Sequence, residues 1–200
     1  MPYISQIVDI INNTLANGKI KDDIRFRKQL HGLAELLPRH INDDQNVIPA
    51  LVSLTNNITF SGFDDSKSIV IYHRCVETEI IESEFQFGDG LNTAREEARM
   101  RMYVFANRTI TKTTPQQLSF LLSSGIQQQL AYSQLTNYPG LFTATIEANI
   151  TNYNSVEIFS NEYRLPATAY PLQPHHIYMA LDYVITTDYD LSCIDDCLTC

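Results

Sequence analysis

The chain reads as an α+β protein in which an N-terminal helix and a central helix pack on a mostly antiparallel sheet containing a long β-hairpin. Three observations predict this. Apolar residues recur at three- and four-residue spacing from Ile4 to Leu15 and again from Leu118 to Leu130. From Val47 onward, and again beyond Leu141, the period drops to two. The element order of helices, strands, helix and strands also lacks the regular strand–helix alternation of a parallel α/β fold. Two hundred residues, 44% apolar and 10% aromatic, are enough to bury one core. No repeat, linker or compositional break marks a second domain, so residues 1–200 are read as one domain with a flexible tail from about 190 to 200.

In chain order, Ile4, Ile7, Val8, Ile11 and Leu15 trace one face of a first helix, and Asn17-Gly18 supplies a left-handed stop. Ile24, Leu30, Leu33, Leu36 and Leu37 predict a second helix from about Asp22 to Leu37, ended by Pro38. Its start carries Lys19, Lys21, Arg25, Arg27 and Lys28. Asp22 and Asp23 lie among them, so this is read as a mixed-charge solvated face rather than a phosphate site. Val47 to Leu54, Ile58 to Phe63 and Ser68 to Val76 are predicted strands, with Asp64-Asp65-Ser66 as a turn.

The last of these strands runs on through Glu77, Glu79, Glu82 and Glu84 to Phe87. Gly88-Asp89-Gly90 permits a reversal, and Met100 to Ile110 returns. The outgoing arm is acidic and the returning side carries Arg95, Arg99, Arg101 and Arg108, so opposite charges are expected to meet across strands or between subunits. Gly88-Asp89-Gly90 lacks the glycine spacing, the Lys and the Ser or Thr of a phosphate-binding loop.

The central helix, from Thr114 to Tyr132, is the best marked. Thr114 caps it, Pro115 suits its first turn and Gln117 completes a capping box; Leu118, Leu121, Leu122, Ile126, Gln129 and Leu130 form the stripe. No charged residue occurs between Lys112 and Glu147. The run holds too many Gln, Ser, Thr and Asn residues for lipid, and a long neutral surface points to a protein partner. Tyr138-Pro139-Gly140 is a turn, Leu141 to Thr151 and Ser155 to Ser160 are strands, and Arg164 to Pro174, with three prolines, is a loop. Ile177 to Tyr189 is the strongest strand, with apolar residues on both sides as an interior strand requires.

A net charge of −9 argues against a nucleic-acid reader, which would need a basic face, but not against a protein that lets DNA pass. Asp182, Asp188, Asp190, Asp195 and Asp196, in a segment without Lys or Arg, read as solvated acids. The first residues lack a secretion pattern, because Asp9 interrupts the apolar run, and four cysteines, one isolated at Cys75, do not make a disulfide framework. Cys193, Cys197 and Cys200 form a C-x3-C-x2-C pattern that, with His175 or His176, has the donors for zinc. That makes a small zinc- or iron-binding regulatory or redox domain the first rival reading. His175 and His176 enter a strand, where neighbours point to opposite sides, so both do not serve one site. Cys75 reads as a small core residue. With no Gly-x-Ser-x-Gly elbow and no acid/base pair, no catalytic residue, cofactor or metal ligand is assigned and the chain is read as a non-enzyme. An enzyme with a site assembled only by the fold is the second rival, and it predicts a concave pocket with converging polar groups.

The N-terminal helix, the acidic-to-basic hairpin, the helix opening Thr113-Thr114-Pro115-Gln116-Gln117 and the strand Ile177-Tyr178-Met179-Ala180-Leu181-Asp182-Tyr183 together resemble the neck and tail-terminator proteins of tailed bacteriophages. The Asn-, Ile-, Thr- and Tyr-rich composition without Trp is similar to virion proteins of crAss-like phages. The resemblance lies in element order and composition and carries no site residues. It implies a tail-terminator-like fold and a head–tail connector subunit, located in the virion after assembly in the host cytoplasm. Its partners would be copies of itself in a ring and the adjacent portal, neck or tail proteins, with no membrane. DNA would pass through the ring without sequence-specific binding, past acids of the C-terminal segment or the hairpin.

Overall fold

The computed structural model of the chain describes residues 4–17, 30–36, 39–41, 47–52, 58–61, 69–84, 93–126, 141–153 and 175–190. Helix α1 spans Ile4–Asn17, followed by strands β1 (Leu30–Leu36), β2 (Arg39–Ile41), β3 (Val47–Val52), β4 (Ile58–Ser61), β5 (Ile69–Glu84) and β6 (Thr93–Asn107). A single-turn helix α2 (Arg108–Thr111) and helix α3 (Pro115–Ile126) lead to β7 (Leu141–Tyr153) and β8 (His176–Asp190). The architecture is α+β. Strands β5, β6, β8 and β7 form an antiparallel open sheet in that order, β1 joins it parallel to β5, and β2, β3 and β4 make a smaller antiparallel sheet.

The interior position expected of the last strand is observed. Strand β8 pairs with β6 from Asn107↔His176 to Thr93↔Asp190, and with β7 on its other side. One face of the sheet carries Ile69, Ile71, Met100, Met102, Val104, Ile177, Met179, Leu181 and Ile185, all buried. It packs in one cluster with Ile7, Val8, Ile11 and Leu15 of α1 and with Leu118, Leu122 and Ile126 of α3. Both helical stripes therefore face the core as their spacing requires. The opposite face is closed at one end, where Tyr72 and Tyr103 stack with centroids 4.9 Å apart and Phe105 lies against Tyr178. Along β8 that face opens toward Asp190: Asp182, Val184, Thr186 and Asp188 are half-buried while their neighbours remain inside.

The structure differs from the sequence reading at several elements. The helix expected from Asp22 to Leu37 is corrected over Leu30–Leu36, which is strand β1; residues 22–29 lie outside the described residues. Leu30, Gly32, Ala34 and Leu36 alternate at period two as well as fitting a helix, and Gly32 weakens a helix by about 1 kcal/mol relative to Ala. The edge of β5 decides between the two periods, since β1 pairs with it through Leu30↔Ile69 to Gly32↔Ile71. Strand β6 begins at Thr93, earlier than expected, because its Arg- and Glu-bearing start pairs on both sides. It ends at Asn107 rather than Ile110, where Asn107 caps α2 by accepting from the Thr109 N–H at 2.9 Å. Strands β3 and β4 are described over Val47–Val52 and Ile58–Ser61, and the rest of the expected strands, residues 53–54 and 62–63, lies outside the described residues. The predicted second half of the central helix, residues 127–132, the strand at 155–160, the loop at 164–174 and the tail from 191 lie outside the described residues.

Candidate functional site

Three places in the fold gather exposed or polar groups in ways that core packing does not account for. The first is the projecting half of the β5–β6 hairpin. Strand β1 accompanies β5 only as far as His73, so beyond it the outer edge of β5 has no strand neighbour among the described residues. The register with β6 shifts between Cys75 and Glu77 and again between Ile80 and Glu82, which leaves Val76 and Ile81 as the extra residues of two bulges. Val76, Ile80 and Ile81 are 56, 59 and 44% exposed. Phe120, two places off the apolar stripe of α3, is 70% exposed. These are the large apolar side chains turned outward among the described residues, and they sit on two different elements.

Charge crosses the same arm, though with different partners from those expected. Arg101 donates two hydrogen bonds to Asp182, Nε to Oδ1 at 2.6 Å and Nη2 to Oδ2 at 2.9 Å, and Arg95 grips Asp188 the same way at 2.7 and 3.3 Å. Arg99 meets an acid of the outgoing arm, Glu77, at 3.1 Å. In the strand register Arg101 lies opposite Asp182 and Arg95 opposite Asp188 on β8, while on β5 Arg74 faces Arg101, Glu79 faces Glu97 and Glu82 faces Arg95. The hydrogen bonds that Arg101 donates to Asp182 hold its guanidinium above its ordinary range against the opposing effect of burial. The reading of Asp182 and Asp188 as solvated acids is therefore corrected, since both are engaged in forked ion pairs. Asp190 is buried.

The second place is a buried polar triad. His73 Nε2 lies 3.0 Å from Asn12 Oδ1 and His73 Nδ1 lies 2.9 Å from the Tyr183 hydroxyl. A neutral ring with its proton on Nε2 satisfies every group: Nε2–H donates to Asn12, and the Tyr183 hydroxyl donates to Nδ1. Complete burial holds the His73 pKa down at about 3, and burial likewise pushes the Tyr183 phenol up, with the Cys75 thiol adding to it. The triad ties α1 to β5 and β8.

The third place is a cleft of about 500 Å³ at the opposite end of the sheet, lined by Arg108, Thr109, Lys112, Thr113, Thr114 and His175. It forms because β6 stops at its Asn107 cap and the chain then makes one helical turn. Lys112 reverses it in the left-handed region, φ 54 and ψ 28, with its N–H on the Arg108 carbonyl at 3.0 Å. Thr114 then opens α3 through the predicted capping box, reciprocal 3.2 Å bonds joining the Thr114 N–H to Gln117 Oε1 and the Gln117 N–H to Thr114 Oγ1. The Arg108 N–H donates to the His175 carbonyl at 2.6 Å and fixes the start of β8 against this wall.

Here the geometry expected of the two histidines is corrected, although they still occupy different places. His175 occupies a turn just before β8, so strand alternation does not apply, and its ring lies 4.1 Å, centroid to centroid, from that of His176. His176 also packs on Phe105 at 5.0 Å, and its Nδ1 is 3.3 Å from the Tyr178 hydroxyl. It is a packing residue, while His175 lines the cleft.

Cys75 is half-buried at the edge of the core, its thiol raised by burial and lying 3.7 Å from the Glu77 carbonyl. Cys193, Cys197 and Cys200 lie outside the described residues, and among those described no three His, Cys, Asp or Glu side chains are grouped to hold a metal ion. None of the described helices is long and apolar enough to cross a membrane. Comparison with known proteins finds no matching family model, no matching curated protein and no matching solved structure.

Sequence reasoning missed His73, the exposed apolar trio and the cleft. Phe120 alone had a visible signal, an aromatic residue off its helix stripe. The bulges that expose Val76 and Ile81, and the turn that brings His175 to Lys112, leave no local pattern.

Proposed function

We propose that the chain is a structural assembly subunit that associates with copies of itself head to tail into a ring, as the tail-terminator-like head–tail connector it resembles would. In that setting the ring joins portal to tail around the DNA channel of a phage virion. The observation that carries the self-association is the presence of two unlike apolar surfaces on one chain, Val76, Ile80 and Ile81 on the hairpin arm and Phe120 on α3. Contact between two different patches is heterologous, and it closes into a ring where the rotation allows. The occupant proposed for the arm is the α3 face of a second copy. That face lies in the uncharged run, so α3 itself adds no charged group to those the arm must desolvate. The bulges break the ladder of the β5 edge, so the contact is made by side chains and not by strand addition. The forked Arg–Asp pairs stiffen the arm. They also leave channel lining by Asp182 and Asp188 without support, and any acidic lining is assigned instead to other acids of the arm.

The test is the mass of the purified chain in solution across a concentration series, with and without chelator and reductant. A ring-sized oligomer indifferent to both, reduced to monomer by Phe120→Ser or by Ile80→Ser with Ile81→Ser, is the expected result. These side chains are exposed, so the fold should tolerate their loss. An oligomer unchanged by both sets of substitutions would refute the assigned surfaces. Dissociation by chelator together with stoichiometric zinc or iron would move the function to the cysteine pattern.

A further inference from the structure

One carboxyl of the hairpin arm lies on the core side of the sheet. Glu96 alternates with Ala94 and Ala98 of the apolar cluster along β6, and it is only 8% exposed. Strand register places it in a row of four: Ile80 of β5 stands directly opposite on one side, Thr187 of β8 on the other, and Ala144 of β7 beyond Thr187. Antiparallel partners share a face, so these side chains line up across the sheet. Glu96, Thr187 and Ala144 are buried, whereas Ile80, at the outer edge, is 59% exposed. Burial holds the Glu96 carboxyl above its ordinary range, and the N-terminal ammonium acts in the opposite direction. The titratable groups that feel its charge are the Cys75 thiol on β5 and the Tyr189 phenol on β8; both are raised, chiefly by burial and further by Glu96. Neither ionises near neutral pH, and β7 faces the row with an alanine.

We infer that Glu96 couples self-association to protons: its carboxyl takes up a proton as the α3 face of a second copy closes over Ile80, so the contact tightens as pH falls. The inference rests on the assembly reading and adds its regulation. Ile80 and Glu96 are cross-strand neighbours, so a surface that covers the first also removes the water that still reaches the second. Helix α3 has no charged residue from Pro115 to Ile126, so it brings no cation in exchange. Desolvation without a compensating charge favours the neutral acid. The carboxyl therefore ionises at a higher pH in the assembled state than in the free chain. Between those two values the assembled state holds one proton more, and the association constant falls as pH rises. One proton per contact limits that slope to about tenfold per pH unit.

The experiment is sedimentation of the full chain over a concentration series at half-unit steps below pH 7, where the N-terminal ammonium stays charged, with the parent compared to Glu96→Gln at constant ionic strength. Glutamine keeps the shape without the charge, so the variant should fold at least as well as the parent, and urea denaturation at pH 7 checks this. Net charge also shrinks toward acid, but that effect is common to both chains. The expected result is a parent association constant that rises by about tenfold more than the variant's between pH 7 and pH 5, with Glu96→Gln the tighter of the two at pH 7. Association by both chains with parallel pH dependence would overturn the proton coupling and leave the assembly reading standing. Association by neither chain at any pH would overturn the assembly reading and this inference with it. A parent pH dependence that survives Ile80→Ser with Ile81→Ser would overturn the place assigned to the coupling.

Discussion

Acidifying the protein from pH 7 to pH 4 should weaken it along a slope set in large part by His73. The ring is fully buried, neutral, and bonded on both nitrogens to Asn12 and Tyr183, and its pKa falls from the ordinary 6.5 to about 3. In the unfolded chain the same imidazole is free to take a proton below 6.5. Between about pH 3 and 6.5, then, the unfolded state binds one proton more than the folded state, and stability falls as pH falls. Each pH unit is worth about 1.4 kcal/mol, so the 2.5 units from 6.5 to 4 remove roughly 3 kcal/mol. Against the 5–15 kcal/mol typical of a domain, that is a loss visible in any unfolding curve.

The assay is urea denaturation at half-unit pH steps, parent against His73→Gln, at one protein concentration because association is linked to folding. Glutamine bonds the same neighbours without titrating in this range. Groups common to both chains cancel in the comparison, including the Glu96 carboxyl, which burial raises and which contributes with the opposite sign. The difference in stability between the two chains should change by about 3 kcal/mol between pH 6.5 and 4. Parallel curves would refute the neutral buried ring and with it the proton assignment in the triad.

The other expectations concern the arm and the central helix. Arg101→Asp or Asp182→Arg alone sets like charges opposite each other across β6 and β8 and should cost roughly 1 kcal/mol or more, while the exchanged pair should recover most of it; strict additivity in a double-mutant cycle would show that the fork contributes nothing. Leu118→Ala should lower stability by about 2–5 kcal/mol, since Leu118 is fully buried between α3 and the sheet, and Thr114→Ala by about 1 kcal/mol through loss of the cap. Chemical denaturation orders the two, and a larger effect at Thr114 would contradict the packing.

The capping box at Thr114 and Gln117, the buried stripe of α1, the interior character of β8 and the long hairpin were all legible in residue order. Each rests on neighbours within a few positions, where spacing and side-chain chemistry act directly. The stretch Leu30–Leu36 failed for the same reason. Its leucines satisfy two periods at once, and the choice between them lay with a β5 edge nearly forty residues away in the chain.

Charge shows the division most clearly. Composition revealed arginines on the returning arm and aspartates near the C-terminal end, but only the β6–β8 register set Arg95 opposite Asp188 and Arg101 opposite Asp182. The sequence by itself determined the class of fold, the helix faces and the absence of charge around α3, because these follow from local periodicity and count. The tertiary structure alone decided which charges are neutralised, that His73 is held neutral between two partners, and that Lys112 and His175 share a cleft. Those depend on register and on burial, which are properties of contacts between residues far apart in the chain, and no local pattern encodes them.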